Sequence, residues 1–190
     1  NIYPTPVIGG VGLIHNLNKP LSHKFKKEKS IIILIGKTFG HLEQSCFLKE
    51  NYSIIDGNPP EINLINEKNN GEMVLKLIER KLVLSAHDIS NGGLLVALSE
   101  MSMESNLGIK IKKSKKLIDL NGYFFGEDQG RYIIEIDKRN LASVEKFLQG
   151  DSIYYEIIGE TQEKFFEIED EMKIDTNVLY KVNNQWYNNY

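Results

Sequence analysis

The run richest in groups able to do chemistry is His87-Asp88-Ile89-Ser90-Asn91-Gly92-Gly93-Leu94. It follows an apolar stretch, Leu82 to His87, that reads as a strand. It precedes a segment from about Asn91 to Glu104 whose Leu94, Leu95, Leu98 and Met101 recur at helical spacing. A strand in this position delivers His87 and Asp88 to its carboxyl end, where open α/β sheets bind ligands. Gly92 and Gly93 remove side chains from the first helical turn, so an anion can approach backbone N–H groups and the positive helix end. Asp88 stands where a carboxylate can hold a Mg²⁺ ion that bridges phosphates. A second account uses the same residues differently: Asp88 and Ser90 or Asn91 cap the helix, and the glycines permit close helix–sheet packing. Spacing alone leaves both open.

A second run, Gly126-Glu127-Asp128-Gln129-Gly130-Arg131-Tyr132, sets two carboxylates, an amide and a guanidinium just before an apolar strand, Arg131 to Asp137. Glu127 or Asp128 can ligate Mg²⁺ there, while Gln129 and Arg131 reach phosphate or amide groups. Equally, the loop can be a salt-bridged turn in which Arg131 neutralises Asp128. A third cluster, Gly9-Gly10-Val11-Gly12, lacks the Lys-Ser/Thr pair of a phosphate loop and reads as a bend between extended segments. The lone Cys46 cannot form an internal disulfide and reads as a small buried hydrophobe. His15, His23 and His41 have no partner at metal-ligand spacing and read as surface residues.

The elements that must hold these groups alternate between strand and helix. Ile31–Ile35 is a strand, and Gly40 to Asn51 a short helix. A longer helix runs from about Glu61 to Lys81, with Ile62, Ile65, Met73, Leu77 and Ile78 on one face and Gly71 as an interruption. Ile109 and Ile111 alternate with lysines as a half-exposed strand. Lys115 to Leu120 and Asn140 to Leu148 read as helices, and Ile153–Glu160 and Glu163–Ile168 as a hairpin turning at Thr161-Gln162. A polar, aromatic stretch ends the chain. Residues 15 to 30, with Lys24, Lys26, Lys27 and Lys29, read as a solvated linker. The expected fold class is α/β, with a mixed sheet layered with helices.

Composition fits an ordinary globular domain of 190 residues: 41% hydrophobic, 26% charged, net charge −3. The slight negative balance argues against a nucleic-acid or anionic-membrane surface. No apolar run approaches the roughly 18 residues that a membrane span requires. The single cysteine suits a reducing cytoplasm.

Three segments in order, IYPTPVIGGVGLI, HDISNGGL and FGEDQGRY, resemble the second half of the small, multi-subunit form of phosphoribosylformylglycinamidine synthase. That family lies in the aminoimidazole-ribonucleotide-synthetase-like superfamily, and PPEINLINEKNNGEMVLKLI also resembles its helix before the HD motif. The resemblance implies a C-terminal fragment, with residues 1–14 the tail of a preceding barrel-forming domain and 15–190 a C-terminal α/β domain. It implies an ATP-dependent ligase of purine biosynthesis that converts formylglycinamide ribonucleotide and glutamine-derived ammonia to the amidine. ATP and Mg²⁺ would be its cofactors, and a glutaminase subunit and a small bridging subunit its partners. The catalytic histidine and most substrate contacts would lie upstream. In this chain the family-like positions are Asp88 for metal and Ser90, Gly92 and Gly93 for nucleotide, with Glu127, Asp128, Gln129 and Arg131 as loop contacts. Asn91 replaces the aspartate usual in HDxSDGGL, which points to a structural or vestigial second site. The remaining alternatives are a selenophosphate- or thiamine-phosphate-kinase-like enzyme of the same superfamily, and a non-catalytic module.

Overall fold

The computed structural model describes residues 7–13, 21–112 and 119–187. In chain order its elements are β1 (Ile31–Ile35), α1 (Cys46–Tyr52), α2 (Leu64–Glu79), β2 (Ser85–Asp88), α3 (Gly93–Ser105), β3 (Gly108–Ile111) and α4 (Leu120–Phe125). β4 (Tyr132–Ile136), α5 (Leu141–Gly150), β5 (Tyr155–Gln162), β6 (Phe165–Ile168), β7 (Met172–Asp175) and α6 (Thr176–Asn184) follow. The strands form one mixed sheet in the order β2-β4-β1-β5-β3-β6-β7. Among the described residues only β3 and β6 pair in parallel.

β1 has five consecutive aliphatic side chains and no polar side, so it needs apolar cover on both faces. Ile31, Ile33 and Ile35 meet Met73 and Leu77 of α2 and Val144 and Leu148 of α5. Ile32 and Leu34 turn the other way, toward Leu94, Leu98 and Met101 of α3 and Phe124 of α4. Each fully buried aliphatic side chain contributes about 1.5–3 kcal/mol. The sheet is therefore the middle of three layers, as the alternating pattern requires.

Several sequence expectations are corrected by non-local packing. The segment 22–30 is no linker. Phe25 is buried, and the Lys26 and Lys27 N–H groups donate to the buried Glu135 carboxylate at 2.9 and 3.2 Å. The Lys27 ammonium pairs with Asp137. An apolar side chain and backbone donors that need a buried acceptor thus hold this basic run against the sheet. α1 starts at Cys46 rather than Gly40, because Ser45 caps it and the N–H groups of Phe39, Gly40 and His41 go to Asp128. α2 starts after Asn63, whose side chain accepts from Asn66 N–H. It runs unbroken through Gly71, and Ile62 and Ile65 are exposed rather than part of its buried face.

The expected β5–β6 hairpin is split. β3 lies between the two, antiparallel to β5 and parallel to β6. Gly108 makes the insertion possible: a Cβ there would fall 2.2 Å from the Phe165 carbonyl oxygen. The C-terminal stretch holds β7, paired to β6, and the amphipathic α6. Of the proposed helix at Lys115–Leu120, residues 115–118 lie outside the described residues, as do His15 and half of the proposed barrel tail, residues 1–6 and 14. Residues 7–13 have no regular secondary structure, and Val7, Ile8, Val11 and Leu13 are exposed. No described helix is long and apolar enough to cross a membrane.

Candidate functional site

The antiparallel pairing of β2 with β4 decides where the two polar runs meet. Asp88, last in β2, lies opposite Tyr132, first in β4, so the carboxyl end of one strand adjoins the loop that feeds the other. The Ile89 N–H extends the pairing to the Arg131 carbonyl at 3.0 Å. A cleft of about 340 Å³ opens there, lined by Asp88, Ser90, Asn91, Glu127, Gln129 and Tyr132, with Glu67 of α2 across it.

The glycines serve the junction between the two runs. Gly92 is the N-cap of α3 at φ 81° and has no side chain of its own with which to cap the helix. Its N–H donates instead to Glu127 Oε1 at 2.8 Å, and the same oxygen accepts from Cys46 N–H at 2.8 Å. One carboxylate thus caps α3 and holds α1. The Gly93 N–H goes to the Ser90 carbonyl at 3.1 Å. A Cβ on Gly93 would fall 2.7 Å from the Gly126 carbonyl oxygen, so its absence lets α3 abut the loop. The donors of both glycines are therefore engaged within the protein. Neither Ser90 nor Asn91 performs the capping expected of them.

In the second run, only part of the expected salt-bridged turn is present. Asp128 is buried, and its carboxylate accepts from three N–H groups of the 39–41 segment. Arg131, 1% exposed, donates to the Asp128 and Gly126 carbonyls and the Thr38 hydroxyl, and its distance to the Asp128 carboxylate is 3.9 Å. Burial depresses the Arg131 pKa, with Asp128 opposing that shift. These contacts make Glu127, Asp128 and Arg131 the frame of the loop. Gln129 is exposed and donates to the Glu127 carbonyl at 3.3 Å.

Asp88 and Ser90 are left facing the cleft. Asp88 is 69% exposed in its side chain, and its contact is with His87 Nδ1 at 3.4 Å. His87 also bonds Glu100 through Nε2 at 3.0 Å and meets the His23 ring edge-on. No group of three or more His, Cys, Asp or Glu among the described residues is arranged to hold a metal ion. Cys46 is half-buried, and desolvation, followed by the Glu127 charge, raises its pKa, which suits an inert thiol.

Sequence reasoning missed Glu67 and Tyr132. Both line the Asp88 cleft, and burial, followed by the charges of Glu67 and Asp88, raises the Tyr132 pKa. A signal for Glu67 was available: Asn63, Asn66, Glu67 and Asn70 recur at helical spacing as a polar stripe on α2.

Residues 27–170 match the family described as AIR synthase related protein, C-terminal domain. The chain is 47% identical over 189 residues to the phosphoribosylformylglycinamidine synthase subunit PurL of Pelagibacter ubique (strain HTCC1062), and 36% identical to that of Rhodopseudomonas palustris (strain BisB5). Each alignment covers all of this chain but 26% of the relative, so the chain spans about a quarter of the curated relatives it matches. Among solved structures, T. maritima PurL complexed with FGAR superposes with a TM-score of 0.68 at 17% identity, covering 84% of this chain and 29% of that one. The same protein complexed with ATP gives 0.64 at 18% identity, covering 84% and 27%. A chain of the HypE–HypF complex gives 0.52 at 15% identity, covering 80% and 53%.

Proposed function

Because the chain belongs to the AIR synthase related protein family, C-terminal domain, we propose that it serves as the C-terminal domain of a phosphoribosylformylglycinamidine synthase subunit. The observation that carries this reading is the meeting of HDISNGGL and FGEDQGRY at one cleft, in a chain 47% identical throughout to a named synthase subunit. In that reaction ATP phosphorylates the amide oxygen of formylglycinamide ribonucleotide. Ammonia then adds to the activated carbon and phosphate leaves, giving the amidine, ADP and inorganic phosphate. A glutaminase subunit, joined by a small bridging subunit, supplies the ammonia, and the setting is the cytoplasm. The HypE–HypF likeness extends the fold beyond synthases. No motif in this chain favours a selenophosphate- or thiamine-phosphate-kinase-like activity over the ligase.

Within that reading, Asp88 would hold a Mg²⁺ ion through its carboxylate, the ligand type this ion takes beside substrate phosphates. The residues present fit no more than that single ligand, since Glu127 Oε1 already accepts two N–H groups. When bound, Mg²⁺ would neutralise phosphate charge. Ser90 is exposed and lines the same cleft as Asp88, where its hydroxyl would meet a phosphate oxygen, and Gly92 and Gly93 keep the approach clear of side chains. Gln129 is the loop residue left to contact ligand, whereas Glu127, Asp128 and Arg131 hold the loop in place.

The test is ADP release with formylglycinamide ribonucleotide and ammonia. A protein that joins this chain to the remaining three quarters of a synthase subunit is expected to turn over, and the 190 residues alone are not. Failure of the longer protein to release ADP in response to that substrate would overturn the assignment. Sustained turnover by the 190 residues would overturn the view that the catalytic histidine lies elsewhere.

A further inference from the structure

Gly71 lies in the interior of α2, where glycine is a poor helix former. Its backbone is helical and has no positive φ that would call for glycine. The reason lies across the cleft. A Cβ on Gly71 would fall 3.3 Å from the Tyr132 hydroxyl oxygen and 3.9 Å from Cζ of the same ring. The preceding residue pins the helix at this point, since the Asn70 amide donates to the Gly130 carbonyl at 2.8 Å.

Tyr132 opens β4 directly opposite Asp88 on β2. Residues opposed in this way project from the same face of a sheet, so the ring stands beside the Asp88 carboxylate. It packs partly against the apolar cluster of Met73, Leu77 and Ile134, and it lines the cleft with Asp88 and Glu67. Its hydroxyl has no hydrogen-bond partner among the described residues. Burial, and then the Glu67 and Asp88 charges, raise its pKa, so the phenol keeps its proton and is able to donate. The fold therefore makes room for a donor that it does not itself use.

An anion in this cleft meets few other free donors. The Gly92 N–H is taken by Glu127 and the Gly93 N–H by the Ser90 carbonyl. The Arg131 guanidinium is spent on the Asp128 and Gly126 carbonyls and the Thr38 hydroxyl. The Gln129 amide is turned to the Glu127 carbonyl. Besides the Asn91 amide, the hydroxyls of Ser90 and Tyr132 remain. Ser90 is exposed, whereas the Tyr132 ring is held between the strand pair and α2, so its hydroxyl is the donor whose place the packing fixes.

We propose that the Tyr132 hydroxyl donates a hydrogen bond to a phosphate oxygen of the ligand in the Asp88 cleft, and that Gly71 is the positioning residue that admits it. The ligand half of this rests on the phosphate chemistry assigned to Asp88, and the Gly71 half does not.

The experiment compares Tyr132→Phe, Gly71→Ala and the two together, by thermal melts of the 190-residue chain and by ATP-dependent ADP release from the longer synthase. In the chain, Tyr132→Phe is expected to leave the melting temperature within about 2 °C of the parent's. Gly71→Ala is expected to raise it by about 1–4 °C on top of Tyr132→Phe, where the added methyl has space, and by less or not at all by itself. In the longer synthase, Tyr132→Phe is expected to raise the KM for ATP about tenfold with kcat little changed. Gly71→Ala alone is expected to raise that KM several-fold and to add nothing to Tyr132→Phe, a dependence that a merely structural glycine would not show. A KM equal to the parent's in Tyr132→Phe overturns the ligand role. A marked loss of melting temperature in that variant does so too, because it assigns the hydroxyl to the fold. Gly71→Ala acting equally with and without Tyr132→Phe overturns the positioning role. A longer parent protein that releases no ADP overturns the phosphate reading of the cleft instead, and the ligand assigned to the hydroxyl falls with it.

Discussion

The Glu127 carboxylate accepts the backbone N–H of Gly92 at 2.8 Å, from a residue 35 positions away, and so caps a helix that has no side-chain cap of its own. The same oxygen takes the Cys46 N–H. Glu127→Ala leaves both donors without this acceptor and is expected to cost about 1–3 kcal/mol. Urea denaturation of the isolated chain checks this. A midpoint equal to the parent's would mean that water replaces the carboxylate at no cost.

Asp88 behaves differently because its side chain is exposed and, among the described residues, meets its neighbour His87. The Asn91 replacement made a structural role attractive from sequence, but the geometry gives Asp88 little stability to supply. Asp88→Asn is expected to change stability by no more than about 0.5 kcal/mol, as for other surface sites. In the longer synthase, kcat is expected to fall if the cleft takes part in turnover. A lowered melting temperature with unchanged kinetics would restore the structural role.

Gly108 and Gly150 form a matched pair for steric cost. A Cβ on Gly108 would lie 2.2 Å from the Phe165 oxygen, while one on Gly150 meets nothing within 4 Å. Gly108→Ala is expected to destabilise by about 1–3 kcal/mol or more, since the obstructing atoms are backbone. Gly150→Ala should stay within about 0.5 kcal/mol. Equal melting temperatures for the two variants would show that β6 can shift off β3 freely.

Glu135 is fully buried beneath the 26–27 segment, and burial raises its pKa above the ordinary carboxylate value against the bonds it accepts from Ser85, Lys26 and Lys27. The folded state then holds the proton more tightly than the unfolded state. This group's contribution to stability is greatest at low pH and is lost as pH rises from the ordinary carboxylate pKa, near 4.5, through the raised folded value. In Glu135→Gln that titration is absent. The stability of the parent relative to this variant is therefore expected to fall between about pH 4 and pH 7, as read by denaturant titrations at both. A difference that grows with pH would reverse the sign and place the carboxylate in a charge-stabilising environment.

Much of this protein was legible in the residues themselves. A run such as Ile31–Ile35 admits only a strand covered on both faces, because neither face can be left to water. The Met73–Leu77 and Leu94–Leu98–Met101 spacings mark helix faces for the same reason, and HDISNGGL and FGEDQGRY declare polar groups at element ends. What tertiary structure decided were the pairings between distant segments. Nothing local in Glu163–Ile168 says that β3 will enter between it and β5, since that depends on Gly108 leaving room for a backbone 57 residues later in the chain. Nothing local in Lys24–Lys29 says that its N–H groups will find the buried carboxylate of Glu135. Periodicity records which face of an element is apolar, whereas a buried donor or acceptor takes whatever partner the fold brings within 3 Å of it. That is why the elements could be read in advance and the frame around Asp88 could not.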